Sequence, residues 1–119
     1  MMYIEEIKWS STPPSEADII VSDGTYKVTG FAYGSEYKKG DVIRNPLHVF
    51  EPTGIIRAEN SEFSIIKDTN PLGYEICGLL IEKDLLRVGD LLLQIYGDLI
   101  PKDISIGEFI SFNCARLDL

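Results

Sequence analysis

The sequence predicts an all-β domain, a small closed or partly open barrel, with a two-sheet sandwich as the alternative. Three observations lead there. Short runs rich in Ile, Leu and Val are bounded by Gly, Pro, Asn and Asp; no helix-period pattern is sustained over a dozen residues; and glycines stand inside the strand-like runs, where a barrel strand bends.

The stretch Tyr74–Tyr96, YEICGLLIEKDLLRVGDLLLQIY, carries the most apolar weight and reads as a central strand pair around a charged link ending in Gly89 and Asp90. In its first run Tyr74, Ile76, Gly78 and Leu80 point one way and Cys77, Leu79 and Ile81 the other, so both faces need cover. Gly78 marks either a bend that lets one strand serve two sheets or a point of close packing.

Taken in order, Met1–Ser10 reads as an edge strand, although Ile4 and Ile7 also fit a helical face. Consecutive prolines at 13 and 14 break the chain between Ser11 and Glu16. Ala17–Tyr33 is the strongest local signal, two β-rich runs joined through Asp23 and Gly24, a dipeptide suited to a tight hairpin turn. Phe31 and Tyr33 emerge on that strand's polar face, a change of pattern placed at Gly30. A loop from Gly34 to Arg44 follows, then strands at LHVFE, IIRAE and SEFSIIK separated by Asn45-Pro46, by Pro52–Gly54 and by further turn residues. A last strand, EFISFNCARLDL, sets Ile110, Phe112 and Cys114 on one face and Phe109, Ala115 and Leu117 on the other. Ile76, Leu80, Leu93, Ile95, Ile110 and Phe112 are the expected core.

A faint repeat runs through this order. Tyr26, Val28 and Gly30 followed by Gly40-Asp41-Val42-Ile43 match Tyr74, Ile76 and Gly78 followed by Gly89-Asp90-Leu91-Leu92, at an offset of 48 and then 49 residues, and Gly107-Glu108-Phe109-Ile110 echoes the second part. Either two units are duplicated or one kind of turn chemistry recurs, glycine allowing the turn and the acid satisfying its amides.

At 119 residues the chain is expected to hold one domain, and 45% apolar with 25% charged residues is globular composition. No apolar run reaches the roughly 18 residues of a membrane span, and MMYIEEIKW has two acids where a signal peptide would be basic, so a cytoplasmic protein is expected. Cys77 and Cys114 lack metal or redox spacing and read as free buried thiols, a disulfide being the other option. The single histidine, His48, stands between apolar neighbours with no partner nucleophile evident, and Glu5 and Glu6 fall on opposite faces of a strand. No metal, nucleotide or dinucleotide motif occurs, so neither cofactor nor metal nor catalytic residue is assigned.

Nineteen acids against eleven bases give a net charge of −8, which repels phosphate and favours a basic partner. The imbalance is uneven: residues 1–44 carry seven acids and five bases, the remainder twelve and six. SDGTYKV, Ser22–Val28, resembles the SDG hairpin of OB-fold domains in the large subunit of replication protein A. That resemblance implies an OB-type barrel and single-stranded nucleic acid binding through Lys27, Tyr33, Tyr37, Lys38 and Lys39. The tail GEFISFNCARLDL is similar to the ends of small uncharacterised bacterial proteins, which implies no activity.

By elimination and charge, the first functional expectation is a non-enzymatic acidic module that binds a basic protein, for instance an immunity-type inhibitor of a nucleic-acid-degrading toxin. Glu51, Glu59, Glu62 and Asp98, in or beside predicted turns, would carry the contact, with Tyr96 as aromatic anchor. OB-type single-strand binding is the alternative, and a site assembled from acids for a small molecule or an unassigned reaction the third.

Overall fold

The computed structural model describes residues 1–10, 16–33 and 36–119; the proline break at 13 and 14 and the start of the loop at Gly34 lie outside them. Among the described residues the chain forms strands and no helix, hence no helix long and apolar enough to cross a membrane. The first strands are β1 (Met2–Trp9), β2 (Glu16–Ser22), β3 (Lys27–Tyr33) and β4 (Val42–Ile43). Next come β5 (Leu47–Phe50), β6 (Thr53–Arg57), β7 (Ser64–Lys67) and β8 (Tyr74–Glu82). The last are β9 (Leu85–Val88), β10 (Leu91–Gln94), β11 (Phe109–Cys114) and β12 (Arg116–Asp118).

All join one mixed sheet in the order β4, β1, β2, β3, β12, β5, β10, β9, β8, β11, β6, with β7 added beside β8. The all-β class is therefore observed, while a closed barrel and a two-sheet sandwich are both corrected: the sheet is single and open. Its ends explain why it stops. β4 is only two residues long, and β6 meets β11 through a register shift between Ser111 and Asn113, both of which blunt an edge against further pairing.

The hairpin of β2 and β3 pairs Ser22 with Lys27, so its turn spans four residues rather than two. Gly24 takes φ 95°, and Asp23 accepts hydrogen bonds from the Thr25 and Tyr26 amides on Oδ1 at 2.8 and 2.7 Å. Gly30 does not change the strand's pattern, since Val28, Gly30 and Ala32 all face inward. It is a point of close approach: a Cβ there would fall 2.6 Å from the Leu119 side chain.

The Tyr74–Tyr96 stretch holds three strands, not two, because the charged link folds as β9 between the turns at Lys83-Asp84 and Gly89-Asp90. Asp84 adopts φ 59°, which Asp tolerates better than most side chains, so the turn forms without glycine. β8 serves two partners along one side, β7 over Ser64↔Cys77 to Lys67↔Tyr74 and β9 beyond. Gly78 sits at that change, but the ladder with β11 runs through it without a bulge. Close packing is its reason, for a Cβ would meet the Arg87 carbonyl oxygen at 2.9 Å.

The last predicted strand divides at Ala115. β11 lies beside β8 and β6; β12 lies beside β5 and β3. Ala115 donates its amide to the Phe50 carbonyl and resets the alternation, which turns Leu117 into the core instead of across from Phe112. One kinked ribbon thus joins two distant places in the strand order, and the sheet has to roll so that they meet.

Alternating side chains of nearly every strand line one buried face, among them Ile19, Val21, Leu47, Ile76, Leu86, Leu93, Ile110 and Phe112. Three polar contacts tie segments that are not neighbours in the strand order. Tyr74 Oη accepts from the Thr29 amide at 2.8 Å, where β12 is too short to pair with β3, and the Leu92 amide approaches Met2 Sδ at 3.3 Å. Asp23 Oδ2 accepts from the Asp90 amide at 2.7 Å, binding the β2–β3 turn to the β9–β10 turn. The three recurrent Gly-acid pairs immediately precede β4, β10 and β11, with Gly40, Gly89 and Gly107 all at positive φ. Asp41 and Glu108 each accept the amide three residues earlier, from Lys38 and Ser105.

Burial raises the Asp23 carboxyl's pKa, but the amides of Tyr26, Asp90 and Thr25 together outweigh it and hold the group below 3.8. The stability it adds is complete above that ordinary value and is lost as pH falls through the folded-state value. Asp23→Ala is expected to cost about 1–3 kcal/mol at neutral pH, with the gap to wild type narrowing in acid urea melts below 3.8; a gap independent of pH would contradict this. Phe112 is 1% exposed, and Phe112→Ala is expected to cost about 3–5 kcal/mol by denaturant unfolding. A loss under about 1 kcal/mol would mean that the face assignment is wrong.

Candidate functional site

The outward face of β3, β12, β5 and β10 carries an unusual set of side chains for solvent. Register places Phe31 beside Asp118, Asp118 beside His48, and His48 beside Gln94, while Arg116 lies beside Phe50. The Arg116 guanidinium sits between two rings, 4.7 Å from the Phe31 centroid and 4.5 Å from that of Phe50. Asp118 fixes it there, accepting from Nε at 2.6 Å and from Nη2 at 3.2 Å. That hydrogen bonding raises the Arg116 pKa further, so the cation is permanent.

The stripe continues at its far side, where Tyr96 Oη and His48 Nδ1 are 2.6 Å apart and their rings stack with centroids separated by 5.3 Å. Tyr33, Phe50 and Tyr96 remain 63%, 41% and 52% exposed. Aromatic rings at solvent positions of a sheet add less to the fold than buried ones, whereas rigid rings beside an arginine are what binding surfaces use.

Acids interleave with these rings. Glu16 pairs with Tyr33 and Asp18 with Phe31 across the β2–β3 ladder, and Glu51 follows Phe50 at φ 51°. Glu51 and Glu16 both act electrostatically on Arg116, which places them around it.

The residues expected to carry function fall in three places. Glu51, Tyr96 and Tyr33 border the aromatic face. Asp98, two residues past Tyr96 at φ 53°, turns instead to Lys83 at 3.2 Å. Glu59 and Glu62 line a separate hollow of about 320 Å³ together with Glu75, Cys77 and Ile56. Of the expected nucleic acid contacts, Lys27 pairs with Glu5 at 3.3 Å and Tyr37 packs against the core, while Lys38 and Lys39 are exposed.

Sequence reasoning missed Phe31, Phe50, Arg116 and Asp118 as a set. The available signal was aromatic residues alternating onto the polar side of KVTGFAY and LHVFE; only pairing with β12 brings them round one arginine. Cys77 and Cys114 are free and lie on opposite faces, and burial pushes the Cys114 thiol up to about 11. Among the described residues no three His, Cys, Asp or Glu side chains are placed to share a metal ion.

No protein-family model matches the chain, and no curated protein or solved structure is significantly similar to it.

Proposed function

We propose that the protein is a non-enzymatic acidic binding module whose contact surface is the outward face of β3, β12, β5 and β10, and that its partner is a basic protein. The observation that carries this is Arg116 held between Phe31 and Phe50 by Asp118, with exposed Tyr33 and Tyr96 on either side. Such rings are already fixed before a partner arrives, so little side-chain entropy remains to be lost on docking. The partner's charge follows from the rim: Glu16, Asp18 and Glu51 surround an arginine whose own charge Asp118 offsets, on a chain of net charge −8. Glu59 and Glu62 would offer a second acidic contact, and an immunity-type inhibitor of a cationic nuclease remains the concrete form of this reading.

An OB-type relation for the rolled sheet belongs to the same proposal. Its support is the meander β8, β9, β10, the parallel pairing of β10 with β5, and the kinked ribbon β11–β12 lying beside both β8 and β5. Single-strand nucleic acid binding is the second reading, favoured by the aromatic outward face of β3. The interleaved acids and the pairing of Lys27 with Glu5 weigh against it.

The test compares tagged wild type with Phe50→Ala/Tyr96→Ala, a pair outside the buried core that leaves the domain folded, as a cooperative unfolding transition checks. Salt-sensitive recovery of one stoichiometric basic protein from lysate, lost in the double variant, is expected. Recovery that the variant does not reduce, or tight binding of mixed-sequence single strands at low salt, would overturn the proposal.

A further inference from the structure

The β10–β11 connection, the end of β8 and the β8–β9 turn together line a cavity of about 410 Å³. Its volume falls within the range of small-molecule sites. Leu80, Ile100, Ile104 and Ile106 make an aliphatic wall, and no aromatic ring is present in the lining to stack on a flat ligand. Polar groups gather at the rim, two cations, Lys83 and Lys102, and two anions, Asp84 and Asp98. Lys83 and Asp98 answer each other at 3.2 Å, with side chains 80% and 68% exposed. Among the described residues no side-chain partner is recorded for Lys102 or Asp84.

The connection is held unevenly. Arg57 ties its second half, donating to the Asp103 carbonyl and pairing with Glu108, and the Gly107 amide donates to the Leu80 carbonyl. Its first half, with Gly97 and Asp98 both at positive φ, is fastened at the rim by the Lys83–Asp98 pair. Exposed ion pairs of this kind contribute little, so a ligand that replaces each partner's contact loses little by separating them.

The geometry points to a binding site for a small aliphatic zwitterion, the chemistry of a free aliphatic amino acid. The branched chain lies against Leu80, Ile100, Ile104 and Ile106, the ligand carboxylate accepts from Lys83 and Lys102, and its ammonium donates to Asp84 and Asp98. A rim of balanced charge is why both ends of the ligand are needed: a lone carboxylate that takes Lys83 leaves Asp98 without its partner, and a lone amine that takes Asp98 leaves Lys83 without its own.

Methyl and amide NMR shifts on titration with leucine, hexanoate and hexylamine test this. Saturable leucine shifts centred on Leu80, Ile100, Ile104 and Ile106 are expected, with each singly charged probe at least about tenfold weaker, the loss of one charge-assisted contact. Ile106 is 63% exposed, so Ile106→Glu folds and abolishes the shifts. Absence of saturable leucine shifts, shifts retained in Ile106→Glu, or equal binding of hexanoate or hexylamine would each overturn the proposal.

Discussion

A sheet with one apolar face must bring that face against itself, and every other feature of this chain follows from how it does so. The fully buried positions of β2, β3, β5 and β8–β12 fall on one side, and with no helix among the described residues the sheet itself is their cover. The kink at Ala115 supplies the geometry, since the ribbon leaving β8 must arrive beside β5 without a loop between. Polar stitches then fix the roll. Tyr74 closes the amide that β12 leaves open on β3, and one carboxylate, Asp23, binds two turns that are far apart in sequence. These contacts reward the roll only once it is complete, because each donor or acceptor is otherwise left unsatisfied or returned to water.

Rolling inward leaves the other face of the sheet free of structural duty, and that is where the chemistry collects. Phe31, Phe50, Tyr33 and Tyr96 are exposed or half-buried while the inward positions of β3, β5 and β10 are aliphatic, so the aromatic content of this part of the sheet lies at the surface. Arg116 and Asp118 reach that face because the kink ahead of them sets their side-chain direction. The same ribbon that shapes the core therefore positions the surface.

Much of this was legible in the sequence where the signal was local. The β2–β3 hairpin announces itself in SDG, and the core residues Ile76, Leu80, Leu93, Ile95, Ile110 and Phe112 are all buried. The Gly-acid pairs mark strand starts because positive φ and a turn-capping carboxylate are local needs. What could not be read depends on pairing between distant segments. LLRV looks like part of a charged link until β8 and β10 flank it, and Leu117 reads as outward-facing until Ala115 breaks the alternation. Glycine at 78 suggested a bend or close packing, and the choice between them rests on the Arg87 carbonyl of a neighbouring strand, which only the pairing of β8 with β9 brings there. The aromatic face was illegible for the same reason, since its members come from four strands whose order is not the order of the chain.

The central claim is that β3 and β8 meet across a common core through the Tyr74 hydroxyl, and native-state hydrogen exchange at Thr29 tests it most directly. The Thr29 amide is expected to exchange only through global unfolding in the wild type, and many-fold faster in Tyr74→Phe while the Val28 and Ile76 amides keep their protection. A Thr29 amide that exchanges in the wild type as freely as one on an open sheet edge would contradict the rolled sheet and everything built on it.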